Sequence, residues 1–303
     1  MSSGSYSFKV FSDVGLLKTR ELSNLGASVS VIEALFARHG VPITAGYLRD
    51  ALAHAETIGK FWKEDATDLQ PDQSDYERGM LLSASRVVAV AQGLGDYKSD
   101  LLPEKLKQML ATTLDPSYPH WSPSREALFE LEFLSRLRKF ERSAILREPP
   151  GADISLVHRY VMMQAECKYI TSTSKKTALD QIEKACSQLG GTDWGIIAVE
   201  IDSHVDHPEI LRQDSPAIAY QELSKCTTEF VGSINADVQD LLGKFSSPKA
   251  IIYCAHTNFM QKNGCTLDVG LCAVGNSAAN LPSRWPDFKY LLSLAQGLRE
   301  GLS

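Results

Sequence analysis

Two carboxylates and a lysine stand close together in one short part of the sequence. Glu166 and Lys168 lie two residues apart in the apolar run 160–170, and Asp153 opens the apolar run that precedes it. Because successive side chains of a strand alternate between its two faces, we expect Glu166 and Lys168 to point the same way. Two carboxylates beside an ammonium group suit a hard divalent cation and a nearby water molecule. The spacing therefore predicts a site for metal-assisted chemistry.

The residues around this triplet predict the elements that position it. The runs 153–157 and 160–170 are rich in β-branched, aromatic and other apolar residues, and the polar pair His158-Arg159 separates them, which indicates a β-hairpin. Strand alternation turns Cys167 toward the apolar side, so we expect this thiol to pack in the core and not to act as a nucleophile.

A helix is predicted immediately upstream. Residues 124–137 have helical periodicity, with Ser122 as the N-cap and Pro123 at the first helical position. Glu130 falls on the apolar stripe of this helix, whereas Glu132 falls on the side expected to face water. A carboxylate on a buried stripe is unfavourable unless it is paired or binds a metal. We therefore expect Glu130 to face the site, although the pattern does not separate it fully from Glu126 and Glu132.

The complete order of predicted elements is helix, three strands, helix, strand. Residues 143–146 are the candidate for the first strand, residues 175–189 have helical spacing, and residues 194–201 have the composition of a buried strand.

Asp153 followed by Glu166-Cys167-Lys168 resembles the D…ExK signature of the PD-(D/E)xK, or restriction-endonuclease-like, nuclease superfamily, and the lead-in 149–152 contains prolines. The resemblance covers residues 122–202. It implies an α/β fold: a restriction-endonuclease-like core, with a mixed sheet flanked by helices, preceded here by an all-helical N-terminal domain.

The resemblance also implies a function. Asp153, Glu166, the backbone carbonyl of Cys167 and Glu130 would hold Mg²⁺ or Mn²⁺, and Lys168 would orient or deprotonate the attacking water or stabilise the phosphate. The implied activity is phosphodiester hydrolysis, usually of DNA, as in an endonuclease of a restriction or anti-phage defence type. Nucleic-acid contacts are expected from Lys175, Lys176, Gln181 and Arg142.

Basic residues surround the triplet, although the chain as a whole is acidic. The net charge is −6, which argues against a protein that coats DNA non-specifically. A basic rim is expected from residues on both sides of the triplet: Arg136, Arg138, Lys139, Arg142, Arg147, Lys175 and Lys176. A solvated helix face would give the same pattern.

Bulk properties set the broad class. With 303 residues, 44% hydrophobic and 22% charged, the chain suits one large or two ordinary soluble domains. We expect a helical domain over 1–120 for partner binding, dimerisation or DNA contact, and the nuclease-like domain over 121–303. No apolar run suits a membrane span and no signal peptide is evident, so a cytoplasmic location with reduced cysteines and no membrane partner is predicted.

Three alternatives remain open. Asp153, Glu166 and Lys168 could form a surface salt bridge at a sheet edge. The segment 202–207 resembles a zinc-binding motif through His204, Asp206 and His207. The fold could also be a catalytically silent binding or assembly module that acts through protein partners. A homodimer or a regulatory protein partner is compatible with either function.

Overall fold

Seven strands form one mixed sheet in the order β1-β7-β6-β5-β4-β3-β2. The computed structural model describes residues 18–64, 73–158, 161–189, 194–205, 210, 215–245, 249–259 and 264–274. The strands are β1 (Lys18–Glu21), β2 (Ile145–Leu146), β3 (Ile154–His158), β4 (Val161–Tyr169), β5 (Trp194–Glu200), β6 (Lys249–Phe259) and β7 (Cys265–Val274). The helices are α1 (Leu22–Leu25), α2 (Val29–Arg38), α3 (Tyr47–Glu64), α4 (Asp75–Gly93), α5 (Leu102–Ala111), α6 (Pro123–Phe140), α7 (Lys175–Gln188) and α8 (Pro216–Gly243).

The sheet combines an antiparallel and a parallel part. Strands β2, β3 and β4 pair antiparallel, β4, β5 and β6 pair parallel, and β7 returns antiparallel to β6. The predicted hairpin and the short first strand are therefore both present. The α/β class with a mixed sheet flanked by helices is confirmed, and the more specific restriction-endonuclease-like assignment remains a prediction.

Hydrophobic residues cover both faces of the sheet. Ala165 and Cys167 of β4 belong to the core shared with α6 and the N-terminal helices, and Ile197 and Val199 of β5 belong to the core shared with α7 and α8. Glu166 lies opposite Ile197 and Lys168 lies opposite Val199 in the sheet register. By strand alternation, Glu166 and Lys168 are therefore on the α7 side, while Cys167 points to the α6 side.

The N-terminal region requires one correction. The first 120 residues are not wholly helical, because β1 pairs antiparallel with β7 at the edge of the sheet. This pairing joins segments more than 240 residues apart, so no local pattern announces it. One hydrophobic cluster includes residues from both sides of position 120, and the division into two domains stays a prediction.

Helix α6 begins as the sequence indicates. The Ser122 hydroxyl accepts a hydrogen bond from the backbone N–H of Arg125, and Pro123 occupies the first turn, where its missing N–H costs nothing. This start fixes which residues α6 presents to the sheet edge. Within the described residues, no helix has the length and apolarity needed to cross a membrane.

Candidate metal site beside strand β4

Asp153 lies where β3 leaves its partner β4. The last paired residues are Ile154 and Ala165, and Asp153 immediately precedes β3. Its carboxylate accepts a hydrogen bond from the backbone N–H of Cys167 at 2.8 Å. The side chain of Asp153 therefore bonds to β4 where the pairing of β3 ends. Its partner, Cys167, is the residue between Glu166 and Lys168.

Glu166 and Lys168 form a buried ion pair. Glu166 is 1% exposed and Lys168 is 8% exposed, and Lys168 Nζ contacts Glu166 Oε1. The other oxygen, Oε2 of Glu166, is buried without a hydrogen-bond partner among the described residues. A buried carboxylate oxygen without a partner is unfavourable, and a bound cation would supply that partner.

Glu130 approaches from α6 and is also buried. It is 3% exposed and forms an ion pair with Lys105 of α5, which is half-buried. Glu126, one turn earlier on α6, is half-buried and interacts electrostatically with Lys168 and Asp153. Glu126 and Glu130 are therefore the two α6 carboxylates on the side of Asp153.

The carboxylates raise one another's pKa. Burial, followed by the charge of Asp153, raises the pKa of Glu166 to about 7 and that of Glu130 to about 8. Burial also raises the pKa of Asp153, while the N–H of Cys167 opposes that shift. Loss of hydration and like charges both disfavour ionisation, so this cluster holds protons at neutral pH. A divalent cation would replace those protons.

The charge balance points the same way. Asp153 interacts electrostatically with three other carboxylates, and two lysines form ion pairs with members of this group: the acids are Glu126, Glu130, Asp153 and Glu166, and the lysines are Lys105 and Lys168. The ionised cluster thus carries two negative charges more than its ion-paired lysines neutralise. Oxygen ligands with surplus negative charge are suited to a hard divalent cation.

Glu132 does not belong to this site, and its predicted contact with water is wrong. It is 2% exposed and forms ion pairs with Arg86 at 2.8 Å and with Arg136 at 2.6 Å. Helix α4 covers this side of α6, so both sides of α6 are buried. The two guanidinium groups lower the pKa of Glu132 to about 2, against the effect of burial.

A second group of potential ligands lies at the ends of β5 and β6. Within the described residues, Glu200, Asp202 and His256 are the one group of three whose ligand atoms all lie within 4.8 Å of one another. Asp153, Glu166 and Glu130 are more widely spaced, and Lys168 and Lys105 each hold one of them. Lys168 contacts Oε1 of Glu166, so Oε2 of the same carboxylate is left for a cation.

Two arginine side chains already form ion pairs with the carboxylates of the second group. Arg86 contacts Glu200 and lies 3.5 Å from Asp202, and Arg125 lies 3.2 Å from Glu200. Asp202 also accepts a hydrogen bond from the backbone N–H of His256 at 2.8 Å. Buried carboxylates that are paired with guanidinium groups join α4 and α6 to the sheet, which is a structural role.

The basic rim is smaller than expected. Arg136 is buried in the network with Glu132, and the Arg138 guanidinium lies 4.4 Å from the centroid of the Tyr97 ring. Arg142, Lys175 and Lys176 are exposed. Gln181 is partly buried on α7. Three of the four residues expected to contact nucleic acid therefore lie at the surface.

The described residues give little support to a zinc site in the segment 202–207. His204 stacks on Phe230, with ring centroids 4.0 Å apart, and burial lowers its pKa. Asp202, at the start of the same segment, is committed to Arg86 and His256. Asp206 and His207 lie outside the described residues.

Two features of the site are not evident from the local sequence pattern. Lys105 neutralises Glu130, but in the sequence it resembles any lysine of an amphipathic helix. Arg86 lies in a mostly apolar helix, α4, where a buried guanidinium requires a carboxylate partner; this requirement was the available signal.

Comparisons with known proteins do not identify a family for this chain. No protein family model matches the chain, and neither a curated protein nor a solved structure matches it. The functional conclusion therefore depends on the geometry of this chain and on the resemblance of its motif.

Proposed function

We propose that this protein is a metal-dependent nuclease that hydrolyses phosphodiester bonds, as a DNA endonuclease of a restriction or anti-phage defence type. The observation that carries the proposal is the hydrogen bond from the Cys167 N–H to Asp153, because it joins the isolated aspartate to the Glu166–Lys168 pair. DNA as substrate, and a role in defence, follow from the superfamily resemblance alone.

The residues suit a divalent cation. Asp153 and Glu166 would hold it, together with the backbone carbonyl of Cys167, and Glu130 would complete or support the set. The buried, unpartnered Oε2 of Glu166 and the surplus of carboxylates support this assignment. When bound, the cation supplies Lewis-acid activation of water and stabilises charge on the phosphate.

The side chains have separable tasks. Asp153 is oriented by a backbone N–H, so its carboxylate is fixed before any ligand binds. Lys168 lies on the same face of β4 as Glu166 and forms an ion pair with it. From this position it can orient the attacking water or offset the charge of the phosphate. Glu130, with its pKa near 8, can hold or release a proton at neutral pH.

The experiment is a cleavage assay on supercoiled plasmid, linear duplex, single-stranded DNA and RNA, with Mg²⁺, Mn²⁺ or chelator. The informative variant is Lys168→Met, which keeps the length of the side chain and removes its charge. Lys98→Met is the matched control, because Asp96-Tyr97-Lys98 is also an acidic-x-Lys triplet but its lysine is exposed in a loop. We expect metal-dependent cleavage by the wild type and by Lys98→Met, and its loss in Lys168→Met.

Two outcomes of the same assay would contradict the proposal. Cleavage that persists in Lys168→Met would place the active site elsewhere. Absence of cleavage by the wild type, together with absence of metal-dependent stabilisation, would favour the silent binding module instead.

A further inference from the structure

Lys105 reaches the carboxylates of the metal site from outside the segment 122–202 that the motif resemblance covers. It lies on α5, whereas Glu126 and Glu130 lie on α6. Its ammonium group forms an ion pair with Oε2 of Glu130, and it also interacts electrostatically with Asp153 and Glu126. One lysine of the N-terminal helices therefore acts on three of the four clustered carboxylates.

The packing of α5 fixes the backbone of Lys105 beside α6. Three apolar side chains of α5 are buried in the hydrophobic core that α6 also enters: Leu102, Leu106 and Met109. The hydroxyl of Ser124, in the first turn of α6, donates a hydrogen bond to the backbone carbonyl of Gln108 and accepts one from the backbone N–H of Thr112, both at 2.8 Å. These contacts hold the two helices together, so the ammonium group is kept near Glu130 by the fold as well as by its own ion pair.

Lys105 carries a positive charge in this position. Burial lowers the pKa of its ammonium group, but the opposing effects of Glu130, Asp153 and Glu126 are larger, and the pKa lies above its usual value. Lys105 is therefore protonated throughout the neutral range. A fixed positive charge thus already lies on the Glu130 side of the cluster.

The two lysines leave different parts of the cluster open. Lys168 contacts Oε1 of Glu166, and Oε2 of that carboxylate has no hydrogen-bond partner among the described residues. Oε2 of Glu130, in contrast, is the oxygen that Lys105 contacts. Asp153 interacts electrostatically with both glutamates. The Glu166 side therefore offers an oxygen to a metal ion, whereas the Glu130 side already has a cation.

The charge of the cluster matches a single divalent ion. With the four carboxylates ionised and the two ion-paired lysines protonated, two negative charges remain, and one divalent cation neutralises them. A second divalent cation would leave two positive charges in a largely buried site, which is strongly unfavourable. Lys184 also interacts with Glu126, but it is exposed, so water and salt screen its charge.

We propose that the ammonium group of Lys105 takes the place of a second divalent cation, so that the site binds one ion, at Asp153 and Glu166. This inference rests on the metal site of the proposed nuclease and adds to it a residue from outside the motif. Lys105 is a positioning residue: it holds Glu130 and sets the number of ions that the cluster accepts.

The test is the number of Mn²⁺ ions bound per chain, measured on the whole protein by electron paramagnetic resonance of the free ion during titration. Lys105→Met keeps the length of the side chain and removes its charge. We expect one ion in the wild type and two in Lys105→Met, each with a Kd below about 1 mM. Because two neighbouring Mn²⁺ ions are magnetically coupled, the loaded variant should also show a coupled spectrum that the wild type lacks.

Two further variants serve as controls. Lys107→Met removes an exposed lysine of the same helix, paired with Glu104, and should bind one ion. Lys105→Arg keeps the positive charge and should also bind one. Circular dichroism checks the fold, and Lys105→Gln replaces Lys105→Met if the latter does not fold.

The outcomes separate this inference from the metal site itself. Two ions in the wild type, one ion in the folded neutral variant, or a second ion in Lys107→Met as well would overturn the role of Lys105 and leave the metal site in place. Absence of bound Mn²⁺ from the wild type and every variant would overturn both.

Discussion

The backbone N–H of Cys167 donates a hydrogen bond to the carboxylate of Asp153 at 2.8 Å. This contact ends the pairing of β3 with β4 and places the aspartate beside Glu166 and Lys168. The same contact exposes the pKa of Glu166 to the charge of Asp153, which, after burial, is the main cause of its rise to about 7. One hydrogen bond thus connects the strand geometry to the electrostatics of the site.

Asp153→Asn should preserve this hydrogen bond and remove the charge, because the amide oxygen still accepts from an N–H. We expect the variant to fold and to lose its response to metal. In the wild type, Mn²⁺ at one hundred times its Kd should stabilise the fold by about 2.7 kcal/mol. Thermal unfolding with and without Mn²⁺ measures both. An equal rise in Tm in the variant would show that Asp153 is not a ligand.

Glu130→Gln tests the buried acid on α6. A carboxylate whose folded pKa is raised stabilises the fold below its unfolded pKa of about 4.5, and this stabilisation is lost as pH rises through the folded value of about 8. Without metal, the free energy of unfolding of Glu130→Gln relative to wild type should therefore increase by on the order of 4 kcal/mol between pH 5 and pH 8.5. Urea unfolding at the two pH values measures the difference.

The control for Glu130→Gln is Glu104→Gln on the neighbouring helix α5, where Glu104 is exposed and paired with Lys107. Its stability relative to wild type should change little between the same pH values, since exposed pairs contribute about 1 kcal/mol or less. A pH dependence no larger in Glu130→Gln than in this control would mean that Glu130 is not a buried, proton-holding group.

Glu132→Gln tests the arginine network. Removing this charge takes one of three buried carboxylate partners from Arg86 and breaks the ion pair with Arg136, so the variant should lose about 3 kcal/mol of stability at pH 7. The pKa of Glu132 is lowered to about 2, so its contribution is present above about pH 4.5 and disappears as pH falls toward 2. The penalty should accordingly shrink between pH 5 and pH 3.

The matched control for Glu132→Gln is Glu33→Gln, which breaks the exposed pair with Arg49 at 3.1 Å. This variant should lose less than about 1 kcal/mol. Chemical denaturation of both variants at pH 7 gives the comparison, and similar losses in the two would contradict a structural role for the buried network.

Metal binding should release protons. Because the pKa values of Glu166 and Glu130 are near 7 and 8, part of the cluster is protonated at pH 7 and must ionise to bind a cation. Calorimetric titration with Mn²⁺ in buffers of different ionisation enthalpy should show release of about one proton per ion at pH 7. The affinity should rise between pH 6.5 and pH 8.5. Binding without proton release would place the ion at a different site.

The local pattern around the site was readable from the sequence because it depends on neighbouring residues. Alternation along β4 placed Glu166 and Lys168 on one face and Cys167 on the other, and helical spacing identified Glu130 as a buried acid. These are consequences of fixed strand and helix periods, which need no knowledge of the remaining chain.

The contacts between distant segments were not readable. A helical wheel assigned Glu132 to water because it compares only the residues of α6, whereas Arg86 of α4 covers that side. The pairing of Lys105 with Glu130 and of β1 with β7 likewise depends on packing. Hydrophobic periodicity shows which side of a helix is the most apolar. Whether another helix also buries the opposite side depends on the tertiary fold.

The most direct test of the metal centre is an anomalous difference map from crystals grown with Mn²⁺. We expect a peak in contact with the carboxylate of Asp153 and with Oε2 of Glu166, the oxygen that Lys168 does not contact. A peak among Glu200, Asp202 and His256 instead, or none beside Asp153 under saturating Mn²⁺, would contradict it.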